Sequence, residues 1–166
     1  LQGLVEPGQT ICYVSGKPYD TLEQVIGIED TLGSLMRLGV YYKQIELLPD
    51  GSIDYEAIKK ALKEDESIAA VAVQRSAGYA WRRSLHIHEI AHLAELVHAQ
   101  NPHTMVFVDN CYGEFTEEQE PVGVGVDAMA GSLIKNPGGG IAPTGGYIAG
   151  TKKAIDKIEH ALTAPG

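Results

Sequence analysis

The sequence has few cysteines and no long apolar run. Its two cysteines, Cys12 and Cys111, both lie in apolar stretches typical of strands, which argues against a disulfide framework and favours a reducing compartment. No apolar stretch approaches the roughly 20 residues that a membrane-spanning helix needs. The first residues lack the charged-then-apolar layout of a signal peptide. We therefore expect a cytoplasmic protein that has no membrane partner.

Positive charge is also scarce. The chain carries 13 Lys and Arg against 22 Asp and Glu, which gives a net charge of −9 at pH 7. Binding to a phosphate backbone requires clustered basic side chains. The basic groups present, Lys59-Lys60-Lys63, Arg82-Arg83 and Lys152-Lys153, are interpreted as solvated surface charge. We therefore expect no nucleic-acid partner.

The 166 residues suit one domain of ordinary globular composition. Apolar runs of strand length alternate with stretches of helical period, which is typical of a mostly parallel sheet with helices on both faces. The sequence therefore predicts a three-layer α/β/α sandwich. Strands are predicted at Thr10–Ser15, Val40–Leu47, Ile68–Val73, Thr104–Val108, Asp127–Ser132 and Gly145–Gly150, and helices from Thr21 with Asp20 as N-cap, from Ser52 or Asp54, over Ile87–Ala99 and over Lys152–Leu162.

Both ends of the sequence are abrupt. It begins at Leu1 without Met and runs into a turn at Pro7-Gly8, as if a helix were ending there. It closes at Thr163-Ala164-Pro165-Gly166. We expect residues 1–166 to be one segment of a longer protein.

Chemically versatile residues follow three of the predicted strands. Tyr19 comes shortly after the first strand, Asp109 follows Val108, and Lys135 comes three residues after Ser132. Open α/β sheets bind ligands at the carboxyl ends of their strands, so these side chains are expected to converge. Each residue alone has a plainer interpretation, because a lysine is usually a surface residue and an Asp after a strand is often a turn residue.

Three motifs resemble a known enzyme group. Lys135 stands 26 positions after Asp109, in the order typical of fold-type I pyridoxal-phosphate enzymes. More narrowly, the chain resembles the methionine gamma-lyase-related family often called aluminium resistance proteins. The resemblance implies the large domain of an aspartate aminotransferase-like enzyme, of which this chain would be the central part. The motifs are Gly16-Lys17-Pro18-Tyr19-Asp20-Thr21, Val108-Asp109-Asn110-Cys111-Tyr112-Gly113-Glu114 and Gly131-Ser132-Leu133-Ile134-Lys135-Asn136-Pro137-Gly138-Gly139-Gly140.

The resemblance implies roles for four residues towards pyridoxal 5'-phosphate. Lys135 would form the internal aldimine and move the proton at the substrate α-carbon, tasks that a desolvated, electropositive pocket favours. Asp109 would keep the pyridine nitrogen protonated. Ser132 would contact the phosphate and Tyr19 would stack on the ring. Cys111 stands where related lyases often have a small hydroxyl residue, and taken alone it is a small buried apolar residue.

The function implied by the resemblance is a carbon–sulfur lyase of cysteine and methionine metabolism. It would act on a small amino-acid substrate as a homodimer or homotetramer. Another fold-type I reaction, such as transamination, and a non-catalytic fragment are alternatives. The segment Gln74–Trp81 lacks the Pro-Ala-Asn-Pro sequence of the gamma-lyases and assigns no substrate contact. The phosphate-binding helix start and the substrate-binding arginine are expected before Leu1 and after Gly166.

A zinc hydrolase is an alternative from another class, because His88, Glu89 and His92 match the H-E-x-x-H motif. On a helical wheel the two histidines point away from the apolar face, towards solvent. A metzincin needs a helix-breaking glycine where Glu95 stands, and in an unbroken helix His98 would lie about 15 Å from His88. We interpret the match as coincidental.

Overall fold

The computed structural model describes residues 1–162 and contains a six-stranded sheet in the order β2-β1-β3-β4-β5-β6. The first five strands are parallel, and β6 runs antiparallel to β5. The predicted abrupt end at residues 163–166 lies outside the described residues. The strands are β1 (Thr10–Tyr13), β2 (Tyr41–Gln44), β3 (Ile68–Gln74), β4 (Met105–Asp109), β5 (Ala128–Ser132) and β6 (Gly146–Gly150), and the helices are α1 (Asp20–Ile26), α2 (Tyr55–Glu64), α3 (Ile87–Gln100) and α4 (Lys152–Leu162), with a 3-10 turn at Pro121–Val124.

Helices cover both faces of the sheet. Side chains alternate along a strand, so β3 sends Val71 and Val73 to one face and Ala70 and Ala72 to the other. The valines pack with the apolar faces of α2 and α3, while the alanines pack with residues of α1 and α4. The predicted three-layer α/β/α sandwich is thus confirmed. None of the helices described is long and apolar enough to cross a bilayer.

The helix starts show where local prediction succeeds and fails. Asp54 caps α2 as predicted, because its side chain accepts a hydrogen bond from the backbone N–H of Ala57 at 2.9 Å. The prediction of Asp20 as the cap of α1 is wrong. The Tyr19 carbonyl already accepts the N–H of Glu23, so Asp20 is the first helical residue and Tyr19 is the cap.

The basic pair Arg82-Arg83 makes specific contacts within the protein; Arg83 stays exposed, as expected of surface charge, whereas Arg82 is partly buried. Arg82 donates to the backbone carbonyls of Gln74 and Ser76. Arg83 places both guanidinium nitrogens against the Glu89 carboxylate, at 2.6 and 2.7 Å. The chain leaves β3 after Gln74, and a carbonyl beyond the strand, such as that of Ser76, needs another donor.

Candidate active site

The carboxyl ends of β3, β4 and β5 set polar side chains in a row. Gln74 pairs in register with Asp109, and Asp109 pairs with Ala130. Ser132 lies two residues beyond Ala130. Because side chains alternate along a strand, Gln74, Asp109 and Ser132 share the face of Phe107, which is the face covered by α1 and α4.

A cavity of about 320 Å³ opens at this edge of the sheet. Tyr19, Asp109, Ser132 and Lys135 all line it, so the structure brings together every residue predicted for the site. This volume is at the lower end of the roughly 300–1,000 Å³ typical of small-molecule pockets. The remaining lining residues are Thr21, Leu22, Gln74, Ser76, Gly78, Phe107, Cys111, Tyr112, Ala130, Gly131, Gly145 and Gly146.

The backbone that follows Asp109 orients its carboxylate. Asp109 Oδ1 accepts a hydrogen bond from the Cys111 N–H at 3.1 Å. Cys111 lies two residues beyond Asp109, the last residue of β4, and lines the cavity, so its prediction as a strand residue is wrong. Burial and the Asp109 charge raise the pKa of the Cys111 thiol, although Lys135 acts to lower it. Both Cys111 and Cys12 are free thiols.

Lys135 lies in the turn after β5, with Nζ 4.9 Å from the centroid of the Tyr112 ring. Burial lowers the pKa of Lys135, but Cys111, Tyr112 and Asp109 together raise it above its ordinary value. No second lysine or arginine lines this cavity within residues 1–162. The expected electropositive pocket is therefore not found in that part of the chain, and the Lys135 amine carries a proton at neutral pH.

Tyr19 and Ser132 each bring a hydroxyl group to the cavity lining. The Tyr19 ring stacks on Tyr79, with centroids 5.2 Å apart, and its hydroxyl donates to the Tyr79 hydroxyl at 3.0 Å. This hydrogen bond is the main cause that raises the pKa of Tyr19 to about 12. Ser132 Oγ accepts a weak hydrogen bond from the Ile134 N–H at 3.4 Å. The Tyr19 hydroxyl is thus held by an aromatic partner, whereas the Ser132 hydroxyl makes one weak hydrogen bond within residues 1–162.

The end of β3 and the segment after it contribute to the site, although no substrate contact was predicted for them. Gln74, Ser76 and Gly78 line the cavity. Gly78 has φ +59, in the left-handed region that glycine adopts most easily, and a Cβ there would lie 2.5 Å from Gln74 Nε2, so a larger residue would displace the Gln74 side chain. A glycine within a short polar loop was the one local signal, and it does not reveal which side chains the loop covers.

The H-E-x-x-H motif on α3 is not arranged as a zinc site. His88 and His92 are exposed, as the helical wheel predicted. Glu89 is buried and bonded by Arg83, so the carboxylate that a zinc hydrolase would use as a base is already engaged. His98 Nε2 lies 2.8 Å from Asp127 Oδ2. Among residues 1–162, no group of three or more His, Cys, Asp or Glu side chains is arranged to hold a metal ion.

Comparison with known proteins points to the same family as the motifs. The model of the methionine gamma-lyase family matches residues 1–166. The Bacillus subtilis protein YnbB is 47% identical over 168 residues, which cover 100% of this chain and 39% of YnbB. The chain thus spans about two fifths of that relative's length.

Solved structures agree in fold. A carbon–sulfur lyase involved in aluminium resistance from Clostridium novyi NT is 52% identical, with a TM-score of 0.93 over 99% of this chain and 39% of that one. Cystathionine gamma-lyase from Lactobacillus plantarum is 20% identical, with a TM-score of 0.72 over 95% of this chain and 36% of that one, and shares the fold of the fold-type I pyridoxal-phosphate enzymes. Together with the family match, these findings show that the chain belongs to the methionine gamma-lyase family.

Proposed function

We propose that the protein is a pyridoxal-phosphate-dependent carbon–sulfur lyase that acts on cysteine-, cystathionine- or methionine-like amino acids. The observation that carries the proposal is the convergence of Lys135, Asp109, Ser132 and Tyr19 on one cavity at the carboxyl edge of the sheet. The family match and the likeness to the Clostridium novyi carbon–sulfur lyase support the reaction class. Free Cys12 and Cys111 support a cytoplasmic location.

The residues of the cavity fit pyridoxal phosphate in their chemistry. An amine, Lys135, can bind an aldehyde, and a carboxylate, Asp109, can pair with a ring nitrogen. Tyr19 offers a ring for stacking and Ser132 offers a hydroxyl with spare capacity for a phosphate oxygen. Glycines at 131, 145 and 146 line the same cavity with backbone alone. When bound, the cofactor supplies an electron sink for the bond-breaking step.

Each residue of this chain would have a definite task. Lys135 would bind the cofactor, for which its amine must first lose a proton, and would later move the proton at the substrate α-carbon. Asp109, held by the Cys111 N–H, would keep a proton on the ring nitrogen. Tyr19, fixed by its stack on Tyr79, would limit the tilt of the ring. We also propose a homodimer or homotetramer, which sedimentation analysis of the full-length protein would establish.

Borohydride trapping tests the proposal. Full-length protein incubated with pyridoxal phosphate should gain visible absorption that borohydride removes, and peptide mass spectrometry should find the reduced cofactor on Lys135. Lys135→Ala should abolish both the absorption and the elimination of sulfur from cystathionine. Lys153→Ala, which changes an exposed lysine on α4, is the matched control and should keep both. Retention of the absorption band in Lys135→Ala would refute the proposal.

A further inference from the structure

Arg75 is the largest fully buried side chain in residues 1–162, and the proposed chemistry does not use it. It follows Gln74 at the end of β3, and its backbone N–H donates to the Asp109 carbonyl at 3.0 Å. A buried guanidinium costs free energy unless its donors are satisfied. The groups that accept its hydrogen bonds therefore indicate its role.

The Arg75 guanidinium binds one short segment at four points. All four acceptors belong to residues 110–117, the loop that begins directly after Asp109. A single side chain thus ties this loop to the end of the neighbouring strand. The acceptors are Asn110 Oδ1 at 3.0 Å and the Gly113 carbonyl at 2.9 Å for Nη1, and Thr116 Oγ1 at 3.4 Å and Glu117 Oε1 at 2.7 Å for Nη2.

The backbone of the loop is not relaxed. Tyr112 and Phe115 have φ values of 66° and 62°, in the left-handed region that non-glycine residues rarely adopt. Such conformations persist where surrounding contacts hold them. Gly113 lies between them, and a Cβ at Gly113 would come 2.6 Å from Arg75 Cδ. The loop therefore takes its shape around the Arg75 side chain.

We propose that Arg75 is a positioning residue for the cofactor site, an inference that rests on the proposed function. Through Asn110 and Gly113 the guanidinium fixes the stretch of backbone that contains Cys111 and Tyr112. The Cys111 N–H orients the Asp109 carboxylate, and the Tyr112 ring lies beside Lys135 Nζ. Arg75 thus sets the relative placement of the acid and the amine without touching either reacting group.

A purely structural role for Arg75 makes a different prediction. Glu117 and Glu120 lie 2.7 and 3.7 Å from the guanidinium, and loss of these ion pairs alone would lower only the stability of the fold. A positioning role also changes how the cavity binds the cofactor and how Lys135 titrates. Cofactor affinity and the pH midpoint of Lys135 modification therefore separate the two roles.

Arg75→Lys in the full-length protein tests the inference, because it keeps the charge and removes the planar fork. We expect the affinity for pyridoxal phosphate to fall about tenfold, the size of effect that loss of an orienting partner has at metal sites. In cofactor-free protein, the pH midpoint of Lys135 acetylation should move to lower pH, because displacement of Cys111, Tyr112 and Asp109 weakens the interactions that raise the pKa of the amine. Arg83→Lys, whose arginine pairs with Glu89 away from the cavity, should leave both values unchanged.

A second variant keeps the test decisive if Arg75→Lys does not fold. Gly113→Ala adds a methyl group that displaces the guanidinium, at a position whose φ is not in the left-handed region, and should produce both changes. A folded variant of either kind with wild-type affinity and midpoint would overturn the inference. Wild-type protein that is labelled on a lysine other than Lys135 would instead overturn the proposed function.

Discussion

Lys135 is protonated at neutral pH, because Cys111, Tyr112 and Asp109 raise the pKa of its amine above the ordinary 10.5 despite the opposing effect of burial. Only the neutral amine attacks an aldehyde. Below the pKa, the neutral fraction rises about tenfold per pH unit. We therefore expect the rate of pyridoxal-phosphate loading onto cofactor-free protein to increase steeply between about pH 7 and pH 9, as stopped-flow absorbance would measure.

The ionisation of the cofactor also changes with pH and affects the loading rate. A reference reaction of the cofactor with Nα-acetyl-lysine in the same buffers corrects for this effect. Its amine has an ordinary pKa, so its neutral fraction also rises about tenfold per pH unit over this range, and any departure of its rate from that rise gives the effect of the cofactor's ionisation. Loading of the protein that does not depend on pH would show that Lys135 is neutral before the cofactor arrives.

At the residue scale, the four predicted site residues could be placed from sequence because the carboxyl ends of parallel strands meet at one edge. Arg75 could not be found in the same way. Arg75 is buried because residues 110–117 fold over it. This contact joins two separate segments of the chain, so the spacing of apolar residues in either segment does not predict it. The acidic residues between Glu114 and Glu120 were the available signal, since Glu117 and Glu120 both lie against the buried guanidinium.

Among the helices, an N-cap residue can be predicted from sequence only where that residue lies just outside the helix, so that its side chain can accept a backbone N–H of the first turn. Asp54 has φ −82 and ψ 81, outside the helix, and accepts from Ala57. Asp20 already has a place inside the first turn of α1, and its Oδ1 accepts from the next residue, Thr21. Pro18 precedes both possible starts of α1, Asp20 and Thr21, and does not distinguish them. The start of α1 was therefore predicted one residue late.

Asp54→Ala should destabilise α2 locally, because one backbone N–H in its first turn loses its acceptor. We expect a loss of about 1 kcal/mol, typical of N-cap removal. Amide hydrogen exchange of Tyr55–Glu64 in the full-length protein measures it. Asp54→Asn retains an acceptor oxygen and should keep most of the protection. Equal loss of protection in both variants would contradict a capping role.

Across the whole molecule, the layered fold was predictable because strand-length apolar runs and helical periods alternate along the chain. The antiparallel direction of β6 was not, since direction is set by the connection between β5 and β6, and its Gly-rich sequence has no helical period. The order of the strands in the sheet could not be predicted from the sequence either. It requires β3 to pair with both β1 and β4, contacts between segments far apart in the chain.

The fold should lose stability in acid through the Glu89–Arg83 pair. The hydrogen bond from Arg83 lowers the pKa of Glu89 below its ordinary 4.5, although burial opposes this. A depressed pKa in the folded state gives stability that is complete above the ordinary value and is lost as pH falls through the depressed one. We expect Glu89→Gln to cost roughly 1–2 kcal/mol at pH 7, given that Arg83 is partly exposed.

Denaturant unfolding of the full-length protein at several pH values measures this loss. Wild type should lose stability below about pH 4.5, whereas Glu89→Gln should show a flatter dependence on pH in that range. Glu95→Gln changes a residue of the same helix whose side chain is 82% exposed, and should follow wild type. If Glu89→Gln loses stability below pH 4.5 as steeply as wild type, the Glu89–Arg83 pair is not the cause of the acid sensitivity.

The antiparallel pairing of β5 and β6 has a consequence for the order of folding. These two strands are joined by residues 133–145 without a helix between them, and the Leu133 N–H donates to the Gly145 carbonyl across the base of that connection. A hairpin needs only local loop closure, whereas β3 and β4 must meet across α3. We therefore expect the β5–β6 hairpin on either side of Lys135 to form early in folding, and Asp109 to reach its place beside Lys135 only when the long-range sheet closes.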